Sequence, residues 1–366
     1  MRQVVRFAAT PAGRVAYAVT GSGPPLLCLP GWVSHLGLMW EVPEHRRFVE
    51  ALSRHHTVIR FDRIGCGLSD RERTDFSLEF ELATLKALTG HLGLDRFALF
   101  GTCESGPVAA AFAAAQPDTL TSLILYGTCA RGSDLAPGDV RRSVLGMVRA
   151  HWGLGSRVLA DIWFPAATPE LSDMFARMQR AAATAETAAA LLEMFYRFDV
   201  TDVLPEVRVP TLVAHRRGSR AVRFELGREL AALIPEAQLA ALDGRMQPIY
   251  AQDPEAGAAT IAEFLGVPTT PLTPPAPATT PLTPSPTPPA SETTPRAAVG
   301  TRPGRVPLTA REFQVADLIA DGLTNAEIGR QLGVSARTVD AHVEHVRTKL
   351  GVRARAQIAV WARQNA

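Results

Sequence analysis

The chain has 366 residues, of which 46% are hydrophobic, and this is enough for two domains with a sizeable core. Its formal net charge is only +2, which excludes a chain that is strongly basic along its whole length and binds polyanions non-specifically. One small basic domain within the chain is compatible with this balance.

The N-terminal sequence shows no targeting signal, because residues 1–14 contain three arginines and no long apolar stretch. The most apolar stretch, residues 108–115, is far shorter than the ~20 residues of a membrane-spanning helix. No two of the four cysteines form a CxxC pair, which argues against a zinc site or a disulfide framework. We therefore expect a cytoplasmic protein with no membrane partner, no metal and no cofactor.

Apolar runs that predict buried strands alternate with helical patterns over residues 1–267. The strand-like runs are 26–30, 58–62, 97–101, 120–126, 211–215 and 238–242, and the helical patterns include 78–92, 106–116 and 223–234. Strands that are apolar throughout are buried on both faces, so this alternation predicts an α/β fold with a parallel, helix-covered sheet.

Residues of about 130–205 interrupt this alternation with helical sequence that is rich in Ala, Met and Phe. A helical insertion between two strands is commonly a cap over a pocket. Its large apolar side chains either form the wall of a ligand pocket or pack as ordinary core: Met174, Phe175, Met178, Met194, Phe195 and Tyr196.

Five segments carry possible functional motifs on this sheet. They are LPGW at 29–32, FDRIGCGLSD at 61–70, FGTCESG at 100–106, VPTLVAHRRGS at 209–219 and DGRMQ at 243–247. Together they resemble the α/β-hydrolase fold, in which a nucleophile lies on a sharp strand-to-helix turn with small residues two positions away on either side. The resemblance implies this fold, with a helical cap, over residues 1–267.

The resemblance also places the catalytic triad, and all three positions depart from the family. Cys103 takes the position of the nucleophile, Ser219 that of the acid and Gln247 that of the histidine. No histidine lies between His215 and His342 that could replace the missing base. We therefore expect no catalytic residues and no hydrolysis, with an active hydrolase or acyl-transfer enzyme using Cys103 as the alternative.

A ligand pocket can persist without the triad, because oxyanion donors are backbone N–H groups. The resemblance implies that these belong to Trp32 and Glu104, with Cys103 at the N-terminus of a helix, where partial positive charge favours an anion. The expected ligand pocket therefore contains Trp32, Cys103 and Glu104, and it could hold a carbonyl or carboxylate without cleaving it.

Residues 268–307 are mostly Pro, Thr, Ala and Ser, and the hexamer TTPLTP occurs at 269–274 and again at 279–284. A segment of this composition cannot bury a core. We expect a disordered linker that acts as a tether.

After the linker, residues 308–366 predict a small all-α domain. Capping boxes at 309–312 and 324–327 begin two helices, Ser335 caps a third, and a fourth is predicted at 355–363. The short turn at 332–335 between the second and third helices is typical of a helix-turn-helix.

Residues 308–352 closely resemble LuxR-type DNA-binding domains, with the motifs LTARE, GLTNAEI and RTVDAHV. The resemblance implies that the third helix lies in the major groove, that the fourth dimerises, and that eight residues contact DNA: Asn325, Ser335, Arg337, Thr338, Val339, His342, Arg347 and Lys349. Asp340 departs from the family, where many members have Lys. With only eight basic and six acidic side chains in 308–366, affinity would depend on dimerisation.

The two resemblances together imply a sequence-specific DNA-binding transcription regulator with a degenerate hydrolase-like domain that senses a small molecule. The expected partners are double-stranded DNA, a small-molecule ligand, a second copy of the chain and RNA polymerase. Besides the enzyme, two alternatives remain open for the N-terminal domain: a redox sensor at Cys103 and a module that only dimerises.

Overall fold

The computed structural model describes residues 3–165, 167–267, 308–320, 323, 325–350, 352, 358, 361 and 362. Contacts within the chain divide it into two units, with the boundary between Ala276 and Pro277. The linker predicted at 268–307 lies outside the described residues.

Eight strands form a single sheet in the first unit. They are β1 (Val5–Thr10), β2 (Gly13–Thr20), β3 (Pro25–Cys28), β4 (Thr57–Phe61), β5 (Phe97–Thr102), β6 (Leu120–Tyr126), β7 (Thr211–Arg216) and β8 (Gln238–Leu242). Their order across the sheet is β1-β2-β4-β3-β5-β6-β7-β8. Strand β2 is antiparallel to both its neighbours, and the pairs from β4 to β8 are parallel. The predicted α/β fold is confirmed.

The α-helices of this unit alternate with the strands. They are α1 (Leu36–Glu41), α2 (Pro43–Leu52), α3 (Leu78–His91), α4 (Ser105–Ala115), α5 (Gly138–Ala150), α6 (Trp152–Trp163), α7 (Pro169–Ala182), α8 (Ala185–Arg197), α9 (Phe224–Leu233) and α10 (Pro254–Phe264). The three helices predicted at 78–92, 106–116 and 223–234 correspond to α3, α4 and α9 within one residue at either end.

Helices cover both faces of the sheet, which explains why its central strands are apolar throughout. Side chains of α3, α4 and α9 pack against one face, and those of α2 and α10 pack against the other. Every residue of β7 is buried, as are the first five residues of β5.

The insertion predicted at about 130–205 corresponds to helices α5 to α8, between β6 and β7. These helices join the larger core cluster through side chains such as Phe175 and Leu191. The indole Nε1 of Trp32 donates to the carbonyl of Ala188 at 3.0 Å, which ties the loop after β3 to α8. The cap is therefore continuous with the core rather than a loosely attached cover.

The second unit contains α11 (Ala310–Ala320), α12 (Asn325–Leu332) and α13 (Ala336–Leu350) around one core. The capping box at 309–312 is confirmed, because the Thr309 N–H donates to Glu312 at 2.7 Å and the Glu312 N–H donates to Thr309 Oγ1 at 3.3 Å. Thr324 of the second predicted box, and most of the fourth helix predicted at 355–363, lie outside the described residues. Ile358 and Ala362 are described, and both are buried in this core.

Among the described residues, no helix combines the length and the apolar character needed to cross a membrane. The same residues contain no cluster of three or more His, Cys, Asp or Glu side chains that could hold a metal ion.

Candidate ligand site and DNA-binding surface

Cys103 lies on the turn between β5 and α4, as expected for the nucleophile position. Its φ of +54° is in the left-handed region, which is strained for a side chain other than glycine. The turn is tight, because a Cβ added to Gly101 would lie 2.6 Å from the Cβ of Ala109. The Thr128 hydroxyl donates to the Cys103 carbonyl at 2.6 Å and holds the turn in place.

The three positions that the sequence assigned to a triad come together in one hydrogen-bonded chain. Ser219 Oγ donates to Gln247 Oε1 at 2.5 Å, and Gln247 Nε2 lies 3.3 Å from Cys103 Sγ. The same amide nitrogen donates to the Gly127 carbonyl at 2.7 Å. The layout of an acid, a base and a nucleophile is retained, but with side chains of different chemistry.

This chain of contacts does not activate the thiol. A primary amide donates through its nitrogen and has no basic site there, so Gln247 cannot take the proton of Cys103. Burial raises the pKa of the Cys103 thiol well above its usual value, and the neighbouring Glu104 carboxyl adds to this, while the Gln247 hydrogen bond opposes it. Cys103 is therefore a neutral thiol near pH 7 and a poor nucleophile.

The Glu104 side chain lies near the backbone N–H groups of Trp32 and Glu104, which were predicted to be the oxyanion donors. Its side chain is buried, and burial raises its pKa to about 7 against the effects of its own backbone N–H, of Arg63 and of the Trp32 N–H. The carboxyl therefore lies beside both N–H groups that were expected to face a ligand oxygen. Its Oε2 has no hydrogen-bond partner among the described residues.

A cavity of about 170 Å³ opens beside the elbow. Two of the three predicted pocket residues, Trp32 and Cys103, line this cavity, together with Gln247. Glu104 is not among the lining residues, so the prediction that it forms part of the pocket wall is wrong. Its side chain is instead buried, and the backbone N–H groups of Trp32 and Glu104 act on its carboxyl.

The cap contributes an aromatic wall to the same cavity. Trp163 packs edge-on against Trp32, with ring centroids 5.6 Å apart, and edge-on against Phe175 at 5.8 Å. Of the six apolar cap residues singled out in the sequence, Phe175 and Met178 line the cavity. Met194 and Phe195 are buried in the core and do not line it, so both interpretations of the cap side chains hold in part.

Sequence reasoning missed the part of the cavity beneath α1 and α2. Met39, His45, Arg60 and Tyr250 line it, and none of them belongs to a recognisable motif. Arg60 lies within the apolar strand-like run 58–62, but a charged residue in such a run is equally typical of a surface position.

In the second unit, α12 and α13 form the predicted helix-turn-helix, with Gly333 between them at φ +68°. The Thr338 N–H donates to Ser335 Oγ at 3.1 Å, which confirms that Ser335 caps α13. Arg337 and Thr338 are exposed in the first turn of α13, where the resemblance placed base contacts.

Val339 is fully buried, so the prediction that it faces DNA is wrong. It belongs to the apolar stripe of α13 with Val343, Val346 and Leu350, because residues three and four apart share one helix face. Its role is to hold α13 on the domain core.

Several of the other residues expected to contact DNA form hydrogen bonds or ion pairs within the domain. Lys349 Nζ lies 2.7 Å from Glu312 Oε2 and joins α13 to α11, and Arg347 pairs with Glu344 at 3.1 Å. Asn325 Nδ2 donates to Asp340 at 2.5 Å, and His342 is half-buried. Ser335, Arg337 and Thr338 are the exposed members of the predicted set, and the hydroxyl oxygens of Ser335 and Thr338 lie 2.8 Å apart.

Comparison with known families agrees with both halves of this description. Residues 306–362 match the family described as bacterial regulatory proteins, luxR family, and residues 24–150 match the alpha/beta hydrolase fold. The chain is 45% identical to the transcriptional regulatory protein LiaR of Bacillus subtilis over 58 residues, which are 16% of this chain and 28% of LiaR.

The first unit has relatives of its own. It is 26% identical over 261 residues to RutD of Azorhizobium caulinodans, which is 68% of this chain and 94% of RutD. It is also 29% identical over 256 residues, or 67% of this chain, to the polyketide synthase ThaQ of Burkholderia thailandensis, of which it covers 12%.

Among solved structures, the enol-lactonase of Burkholderia xenovorans matches with a TM-score of 0.61 at 24% identity, over 71% of this chain and 100% of that chain. A thermophilic esterase from Thermogutta terrifontis matches with a TM-score of 0.59 at 28% identity, over 73% of this chain and 98% of that chain.

Fold and site together define an α/β-hydrolase-fold domain joined to a helix-turn-helix domain. The second of these is a LuxR-type DNA-binding domain, the kind found in bacterial transcription regulators.

Replacing Glu104 by Gln should change how stability depends on pH. The pKa of this carboxyl is about 7 in the folded chain, above the ~4.3 of an unfolded one, so the folded state keeps a proton that the unfolded state has lost. As the pH rises from about 4.5 to 7, the free energy of unfolding of the wild type should therefore decrease by roughly 1–3 kcal/mol more than that of Glu104→Gln. Urea unfolding at pH 5 and pH 8 measures the difference, and parallel pH profiles would contradict it.

Arg337→Ala and Lys349→Ala should separate DNA contact from helix packing. Arg337 is exposed, so its loss should weaken specific binding by ~1–3 kcal/mol without altering the fold. Lys349 holds α13 to α11, so its loss should speed hydrogen exchange in both helices. Fluorescence anisotropy and exchange mass spectrometry on the full chain measure the two effects, with Arg54→Ala as a charge-matched control. Faster exchange in Arg337→Ala, with unchanged binding, would contradict the assignment.

Proposed function

We propose that the protein is a sequence-specific, DNA-binding transcription regulator whose hydrolase-like domain binds a small molecule without hydrolysing it. The observation that carries the proposal is the chain from Ser219 through Gln247 to Cys103, which lies beside a cavity of about 170 Å³. A site with the geometry of a triad but no base can retain a ligand and leave it intact.

The DNA-binding half of the proposal rests on the LuxR-type domain and on the accessible first turn of α13. With few net positive charges, this domain would reach useful affinity as a homodimer on a roughly palindromic site, because two half-sites add their contacts. We further propose a cytoplasmic location and contact with RNA polymerase, as expected of a bacterial transcription regulator.

A second candidate is an enzyme that forms a covalent intermediate at Cys103. It is favoured by one observation, the left-handed backbone of Cys103 at the elbow, which presents the thiol as a nucleophile is presented. The neutral, buried state of this thiol and the amide at position 247 argue against it. The same burial argues against a redox sensor, because oxidation begins from an accessible thiolate.

Hydrolysis should be limited by the triad residues and not by the fold. The wild type and Cys103→Ala should show the same faint background on aryl esters, because neither protein has an acid and a base that complete a triad. The triple variant Cys103→Ser, Ser219→Asp, Gln247→His should exceed that background about tenfold or more, while each single variant should not. Steady-state release of nitrophenol measures the rates. Multiple turnover by the wild type that disappears in Cys103→Ala would establish the enzyme instead.

Ligand retention should be visible by native mass spectrometry of the full-length protein purified from its own host. We expect an added mass of a few hundred daltons or less that is lost on acid denaturation, since a cavity of this volume accommodates only a small molecule. Val49 lines the cavity and Val4 is exposed, so Val49→Phe should lose the added mass and Val4→Phe should keep it. The proposed sensing role would be contradicted if the wild type carried no ligand and if host metabolites did not change its affinity for DNA.

A further inference from the structure

A buried arginine lines the cavity. Arg60 lies on β4, in register with Cys28 on β3, which is itself in register with Phe100 on β5. These three neighbours in adjacent parallel strands all line the cavity. The side chain of Arg60 is 6% exposed, so a guanidinium forms part of an otherwise apolar floor.

Arg60 has no direct ion pair among the described residues. Its Nη2 donates to the Gln3 amide oxygen at 2.5 Å, and its guanidinium lies over the Trp40 ring at 4.8 Å. Its Nε has no hydrogen-bond partner, and no carboxylate among the described residues lies within 4.0 Å of it. The nearby Asp62 carboxylate instead accepts the N–H groups of Leu36 and Leu68, at 3.0 and 2.9 Å.

Of the groups around Arg60, the Asp62 carboxyl raises its pKa without a direct ion pair, and the other nearby groups carry little negative charge. Burial, with the added effect of Arg60, lowers the pKa of His45 to about 3, so this cavity-lining imidazole is neutral. Its Nδ1 has no hydrogen-bond partner among the described residues. Burial lowers the pKa of Arg60 to about 10, which still leaves it a cation at neutral pH. A buried cation without a directly bonded carboxylate is costly, and an anion that reaches its free Nε gains a charge-assisted hydrogen bond.

The elbow beside the cavity has the other polarity. Behind the elbow, the Glu104 carboxyl already lies beside the backbone N–H groups that would otherwise attract an anion. A negatively charged ligand group is therefore disfavoured near Cys103 and favoured near Arg60. Much of the remaining cavity wall is apolar, with Trp163, Phe175 and Met178 from the cap and Met39, Phe48 and Val49 from α1 and α2.

We propose that the ligand of this domain is a small apolar carboxylic acid, bound as its carboxylate, with the carboxylate on Arg60 and the apolar body directed towards Cys103. The inference rests on the proposed function, since it assigns the chemical class of the ligand for the same cavity. A volume of about 170 Å³ is close to that of an engineered cavity that holds benzene, so the body of the acid has on the order of six to ten heavy atoms.

Matched acids and amides test the proposal on the full-length protein. The probes are benzoate against benzamide and hexanoate against hexanamide, with affinity measured by isothermal calorimetry or ligand-observed NMR. The wild type should bind each acid about tenfold or more tightly than its amide. Arg60→Met should reduce that ratio to about one, whereas the exposed Arg54→Met, which removes the same charge, should leave it unchanged.

The thermal unfolding of each variant shows whether it is folded. If Arg60→Met is unfolded, Arg60→Lys takes its place: it keeps the charge but loses the planar pair of donors, so the acid-to-amide ratio should fall without reaching one. Equal binding of acids and amides by the wild type would overturn the carboxylate assignment and leave the proposed ligand-binding function intact. No binding of any acid would also overturn it, and together with an unliganded protein from the host it would remove the proposed function as well.

Discussion

The orientation of one amide, that of Gln247, sets the chemistry of the first unit. Its nitrogen is directed to the Gly127 carbonyl and Cys103 Sγ, so its oxygen is left to accept from Ser219. With its nitrogen committed as a donor, Gln247 cannot draw a proton from the thiol. The same contacts also anchor the loop after β8 to the ends of β5 and β6. One side chain therefore both preserves the architecture of a catalytic site and prevents its use.

The burial of the surrounding groups follows from this arrangement. Because Cys103 is a neutral thiol, it can lie in a closed apolar site without a counter-charge. Glu104 next to it is tolerated for a related reason: two backbone N–H groups act on its carboxyl, and its raised pKa allows it to be neutral near pH 7. A functional thiolate–imidazolium pair would need solvation or stabilising charges that this pocket does not provide. The raised pKa values of Cys103 and Glu104 therefore fit a site that binds a ligand, and they do not fit a site that uses a thiolate nucleophile.

Much of the fold could be read from the sequence, because its signals are local. The alternation of apolar runs with helical patterns gave the sheet and three of its helices, and the small residues around Cys103 gave the elbow. The meeting of Ser219, Gln247 and Cys103 was predictable only through the family resemblance, since 116 residues separate Cys103 from Ser219. Val339 was misplaced because the motif that resembles the family includes residues of both helix faces. The apolar residues 339, 343, 346 and 350 are spaced three and four apart, so they share one helix face, and this spacing predicts that Val339 is buried.

The cavity itself could not be predicted, because its walls come from elements that carry no motif and meet only in the folded chain. Arg60 illustrates the difficulty: in the sequence it interrupts an apolar strand, which reads as a surface position or a strand edge. In the fold, its neighbours Cys28 and Phe100 and the helices α1 and α2 enclose it. A cation enclosed in this way weakens the domain unless something compensates it. In a site that has no catalytic triad, a bound anion would account for this buried charge, and a cavity that holds such a group is suited to binding rather than to hydrolysis.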